Sequence, residues 1–279
     1  MTRGWRWTAG VVTALLLSVA PLAAQQRPLL TEDPEPVGDG LILLETGIDH
    51  VWDQPFPSSG LEGNLLRGPL VGLSFGMGDL AEIQLDGLSR SRLAISDRFP
   101  APLADMVRAR GSTTSGYDDI VIGAKVKFVS EGARRPGIAL RFATRLPMAT
   151  NESGLGLDTM DFFQSLLVGK TIQAVRIVGN VGLGILTDPI RGERQDDVLT
   201  YGLSLARALY PGTEVVAEVN GKTGDQTGGR MTFGLRYTRG SVRLDGGLFA
   251  GFTADDPRVG VTGGLTWVFT SPLTTLATP

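Results

Sequence analysis

The residues able to do chemistry recur at every second position of short alternating segments. Glu45 and Asp49 share one parity of 41–52, and Glu82, Gln84 and Asp86 share one parity of 80–89. Lys125 and Lys127 do the same in 119–128, Arg141 and Arg145 in 137–146, and Arg176 and Asn180 in 175–186. Glu214 and Glu218 in 213–220, Arg230 and Arg236 in 230–238, and Arg243 and Asp245 in 241–250 complete the set. A strand sends alternate side chains to opposite faces, so each segment has one charged face and one apolar face. The two signs nearly balance, whereas an ion-selective pore needs a ring of one sign. The set reads either as the lining of a path for small molecules or as a salt-bridge network that stiffens a closed structure. Position in the hairpins pairs Glu82 with Lys127 and Glu214 with Arg236, each worth roughly 0.2–1 kcal/mol.

Catalytic and metal signatures are weaker. Gly72-Leu73-Ser74-Phe75-Gly76 fits G-x-S-x-G, but a nucleophile elbow needs a helix after the serine, and here a strand runs on into a turn. Gly76-Met77-Gly78-Asp79-Leu80-Ala81 fits a dinucleotide fingerprint with the same fault. His50 is the only histidine; lipid hydrolysis would need a serine and an orienting group beside it, and its own strand supplies none. Asp118-Asp119, Asp158 with Asp161, Asp196-Asp197 and Asp255-Asp256 sit at loop–strand junctions, as Ca²⁺ ligands or as solvated acids. The sequence points to no catalytic residue, no metal ligand and no cofactor.

The positioning elements are about twelve alternating segments: 41–52, 65–77, 80–89, 119–128, 137–146, 161–170, 175–186, 198–209, 213–220, 230–238, 241–250 and 259–269. About ten residues is the length of a tilted strand across a bilayer. Short turns alternate with longer polar loops, the pattern of short periplasmic turns and long extracellular loops. The last segment, V-G-V-T-G-G-L-T-W-V-F, ends its apolar face in Trp267 and Phe269, as in an interfacial aromatic girdle. The expected fold is all-β: a transmembrane antiparallel up-and-down barrel. Segment 161–170 is ambiguous in facing because Phe162 and Phe163 adjoin. Residues 53–64 and 90–117 read as loops. The second carries Arg90, Arg92, Arg98, Arg108 and Arg110, which could meet lipopolysaccharide phosphates or fold inward over a pore.

Residues 1–24 read as a signal peptide, with Arg3 and Arg6 before the apolar run 11–20 and a cut after Ala24. Residues 25–39, rich in Pro and acid, read as an irregular periplasmic lead-in. The barrel is expected over 40–269 and a polar, unpaired tail over 270–279. Without Arg3 and Arg6 the chain carries 24 basic against 29 acidic residues, which argues against nucleic acid as a partner. No cysteine is present, so disulfides are excluded. Thirty-eight glycines without a G-X-Y period exclude collagen and suit strands with only one apolar face.

Four stretches carry a family resemblance: L-T-E-D-P-E-P-V-G-D-G-L-I-L-L-E-T-G, G-M-G-D-L-A-E-I-Q-L, D-D-I-V-I-G-A-K-V-K-F, and R-L-P before a loop. Over roughly residues 30–269 the chain resembles the outer-membrane transporters filed under the meta-pathway of phenol degradation. That resemblance implies export to the bacterial outer membrane and a porin-like channel for small aromatic or hydrophobic compounds. It also looks like a barrel handed to the insertion machinery through the C-terminal strand ending at Phe269. The competing expectation is a closed structural or adhesion barrel acting through its extracellular loops. A continuous lumen would favour transport, and a plugged one the closed barrel.

Overall fold

The computed structural model describes residues 26–190, 194–224, 227–253 and 255–272. The expected signal peptide and the tail from 273 onward lie outside the described residues. One antiparallel sheet contains β1 (Leu41–Phe56), β2 (Leu61–Met77), β3 (Ala81–Asp86), β4 (Arg90–Arg98), β5 (Thr113–Tyr117), β6 (Ile120–Val129) and β7 (Gly137–Leu146). It continues through β8 (Asp161–Ile172), β9 (Val175–Asp188), β10 (Arg194–Tyr210), β11 (Thr213–Thr223), β12 (Gly228–Arg239), β13 (Val242–Gly251) and β14 (Val259–Thr270). Apart from β3 and β4, and β5 and β6, neighbours in sequence pair in turn, and β1 pairs with both β2 and β14, so the sheet closes on itself. β3 and β4 are two lengths of one stave, since both pair with β2; β5 and β6 make another. The result is a closed barrel of 12 staves.

The two broken staves correct one expectation. Residues 90–117 are not a loop throughout: 90–98 and 113–117 continue the wall beyond a kink. At the kink Gly87 has φ +86, and a Cβ there would lie 1.9 Å from the Asp119 carbonyl oxygen, so no larger residue fits. Likewise β1 and β2 run through much of 53–64 and leave only 57–60 as a turn. Polar strands above the membrane need no apolar face, which is why alternation did not mark them. Left-handed glycines close the opposite end, at Gly78, Gly212 and Gly240, as tight hairpins require.

Burial is inverted relative to a water-soluble domain. Lys125, Gln84, Glu82 and Thr232 are among the most deeply buried side chains, while Leu203, Phe233, Leu235, Leu248 and Phe128 are exposed. Charged residues are almost never buried in a water-surrounded fold without special cause, and an exposed apolar belt around a closed barrel marks hydrocarbon as the outer solvent. Phe162 belongs to that belt, whereas Phe163 faces inward, which settles the ambiguous strand. Leu203 lies near the middle of β10 on the belt. Leu203→Arg is expected to cost about 2–4 kcal/mol of barrel stability, read from urea unfolding in lipid vesicles.

Candidate functional site

The lumen is crossed by residues 26–39, which belong to the segment 25–39 expected as an irregular periplasmic lead-in. The sequence did not show that it packs inside the barrel. Its backbone is irregular, as expected, but its polar groups are satisfied by the inner wall. Such a strap has no ladder of its own, so its buried N–H and C=O groups must find side-chain partners.

Those partners come from nearly every stave. Glu45 accepts from the Gln26 and Arg27 amides at 3.1 and 3.3 Å. Arg236 donates to the carbonyls of Arg27 and Gln26 at 2.7 and 2.6 Å. Glu218 accepts from the Leu30 amide at 2.8 Å and from the Thr31 amide. Asn180 both accepts from and donates to the Glu32 backbone. Glu82 accepts from the Val37 amide at 2.7 Å. Apolar anchors assist: Leu29 packs on Ala206 and Val216, and Val37 on Leu43 and Val268.

The strap's own charges complete the network. The Lys125 ammonium lies 3.1 Å from Glu32 and 3.0 Å from Glu82, and donates to the Asp33 carbonyl at 2.9 Å. Arg141 approaches Glu32 at 3.0 Å and donates to Gln84 at 2.7 Å, while Gln84 donates to Glu32 and Glu82. Arg176 grips Asp33 in two parallel bonds of 2.7 and 2.8 Å and also reaches Glu131 in the β6–β7 turn. Lys127 pairs with Glu35 at 2.8 Å. Arg27 lies 3.5 Å from Asp245 and donates to Thr262 at 2.8 Å. Burial would raise the Glu32 carboxyl, but the Lys125 and Arg141 charges and hydrogen bonds from Lys125 and Gln84 hold it below the usual 4.5.

The two expected cross-strand pairs are rearranged. Glu82 sits opposite Lys125, not Lys127, in the β3–β6 register, and Lys127 pairs with Glu35 of the strap. Glu214 does sit opposite Arg236, but the Arg236 guanidinium serves strap carbonyls and Glu214 lies 3.6 Å from Arg243. Arg145 pairs with Asp161 where β7 and β8 meet the 147–160 connection.

The strap divides the lumen into two chambers. The lower, of about 750 Å³, is bounded by Asp33, Glu35, Arg176, Glu214, Arg236 and Arg243. The upper, of about 740 Å³, contains Asp49, Arg67, Asp86, Arg230 and Lys222 on one side and Ala143, Phe163 and Leu167 on another. Asp49, Asp86 and Arg230 were singled out in the sequence. Lys222 was not, although its parity on β11 carried the same signal; Arg67 shares the parity of Val71, Leu73 and Phe75, and the register shift beside Asp49 brings it to the lumen.

Above the upper chamber an apolar cluster forms from Val51, Leu61, Leu65, Leu93, Val107 and Phe249. Val107 comes from the 99–112 connection, so that part of the arginine-rich stretch does fold inward. Arg108 ties it down: its amide donates to the Glu152 carbonyl at 2.9 Å and its side chain lies 3.6 Å from the Glu152 carboxylate. Val107→Asp would bury an unpaired charge, which costs several kcal/mol unless the segment leaves. The expected result is release of 99–112, seen as faster tryptic cleavage after Arg108 and Arg110 on whole cells.

The remaining candidates are accounted for. Ser74 lies mid-strand in β2, opposite Leu43 and Gln84, so no elbow forms. His50 packs edge-on against Trp52 at 4.6 Å and sits opposite Leu66 and Val261, which offer no hydroxyl. Asp118 accepts from Ser89 and Ser91, Asp119 from two backbone amides, and Asp256 from Gly229 and Thr253. Among the described residues no group of three carboxylates or imidazoles is gathered for a metal.

A closed antiparallel barrel of 12 staves, apolar outside and charged within, is a membrane-spanning β-barrel. No family model and no curated protein matches the chain. Among solved structures, an outer membrane channel from Pseudomonas putida F1 shares the fold with TM-score 0.62 at 12% identity, over 85% of this chain and 98% of that one. The NanC porin overlaps more loosely, with TM-score 0.49 at 8% identity over 82% of this chain and 98% of that one. The KdgM porin gives TM-score 0.47 at 8% identity over 80% and 98%.

Proposed function

We propose that this protein is an outer-membrane channel for the passive passage of small molecules, aromatic or hydrophobic compounds among them, and performs no covalent chemistry. The carrying observation is the pair of chambers, each near 750 Å³, separated by a strap of irregular backbone. Side-chain bonds and two apolar anchors hold that strap, so it can leave as a unit without breaking a stave. The apolar wall at Phe163, Leu167 and Ala143 supports a hydrophobic cargo, as does the sequence resemblance. The fold shared with an outer membrane channel supports the location.

A closed structural barrel is the second reading, and the strap across the lumen and the fully partnered Lys125 favour it, since a plug bars a through-path and a buried ion network also stiffens. Liposome swelling with the mature chain and with a variant lacking residues 26–37 separates the two. Passage of a small neutral solute that rises several-fold on removing the strap is expected. Vesicles that stay sealed in both cases would overturn the channel reading.

A further inference from the structure

Most charged groups in the lumen are spoken for, but the upper chamber keeps shielded charged atoms without a hydrogen-bond partner, on the strap's Arg27 as well as on its walls. Arg67 Nε, Arg230 Nε and Asp49 Oδ1 are shielded from solvent and have no hydrogen-bond partner among the described residues. Shielded polar atoms of this kind call for a ligand or ordered water. Asp49 and Arg67 stand opposite each other in the β1–β2 register, yet a bulge between Gly47 and Asp49 falls beside them and they form no ion pair. The charges acting on Arg230 through space include Asp49 and Arg67, so the three belong to one neighbourhood. Its guanidinium stacks on the Phe249 ring at 4.6 Å, which fixes the plane of the fork.

The chamber is two-sided. β1, β2 and β12 bring Asp49, Arg67 and Arg230 to one wall, and β7 and β8 bring Ala143, Phe163 and Leu167 to the opposite wall. The volume suits a small organic molecule. We infer that the upper chamber is a binding site for a small organic carboxylate with an apolar body. Arg67 and Arg230, which line the chamber, take the carboxylate through their guanidinium groups, and the body lies toward Phe163 and Leu167. Asp49 opposes the anion and sets a weak affinity suited to release. The inference names a cargo class for the proposed channel and rests on that reading for its entry route.

The test is calorimetric titration of the full mature chain in detergent with 3-phenylpropionate, 3-phenylpropan-1-ol and acetate. The acid is expected to bind at least tenfold tighter than either the alcohol or acetate. Arg67→Gln and Arg230→Gln are expected to weaken the acid at least tenfold, and Arg134→Gln, in an exposed turn, to leave it unchanged. Asp49→Asn is expected to tighten it several-fold, which general damage to the barrel would not do. Heat-modifiable gel mobility confirms that each variant is folded. Equal binding of acid and alcohol, or wild-type affinity in both arginine variants, would overturn the inference. Because binding is read without a membrane and swelling without an anion, failure here and failure of the channel reading are separable.

Discussion

Lys125→Met is expected to drive the strap out of the barrel and raise conductance several-fold in planar bilayers. The ammonium is fully buried and, together with Arg141, balances Glu32 and Glu82, whose side chains are 7% and 1% exposed. Removing one partner of a buried ion network costs about 3–5 kcal/mol, because the other charges stay buried and uncompensated. The staves themselves are held by continuous ladders, so the cheaper escape is for Glu32 to leave with its segment. Protease sensitivity near Arg27 should rise with conductance. Acid acts on the two proteins with opposite sign. In the wild type the docked Glu32 carboxyl lies below 4.5, so its contribution is complete above that pH and is lost as pH falls through the lowered value. The wild type should therefore loosen in acid. In the methionine variant protonation neutralises the stranded carboxylates and lets the strap return, so its conductance should fall. Conductance that moves the same way in both would sink this account.

Gly264→Val is expected to have a comparable effect from the other end of the strap. Gly264 and Gly47 are register partners across the β1–β14 seam, and the Arg27 side chain lies over both. A Cβ at Gly264 would stand 2.3 Å from Arg27 Nε and 2.5 Å from the Thr46 carbonyl oxygen, and one at Gly47 2.3 Å from Arg27 Nη2. A valine there must expel the guanidinium, leaving the fully buried Asp245 side chain unpaired, again about 3–5 kcal/mol. Arg27→Met should lose the same strap contact without the strain at the Thr46 carbonyl, and the double variant should be little worse than Gly264→Val alone, since the Arg27 interaction is lost only once. Additive effects would show that the glycine acts on the seam and not through Arg27.

The wall was legible in the sequence because period two and the confinement of charge to one parity are the same physical fact seen twice. A shift of one residue would have put Glu82 and Asp86 in hydrocarbon, so register was strongly specified. The strap was not legible as a strap. Pro34, Pro36 and the acids of 32–35 mark irregular backbone, and irregular backbone has no period to say where it lies. One clue was available: Lys125, Lys127, Arg141 and Arg176 crowd the inner faces of β6, β7 and β9, with few acids on those staves to meet them. Glu32, Asp33 and Glu35 are those acids. The upper staves of 90–117 escaped notice because strands above the bilayer carry no apolar stripe.

The reach of Arg27 to Thr262, 235 positions along the chain, bears on how the molecule is made. Contacts so remote in sequence form late, since each must first overcome the entropy of a long closure. The leader emerges first but finds its seat only when the final hairpin arrives, so a half-built molecule is hollow. Every copy would pass through an open tube before it is stoppered.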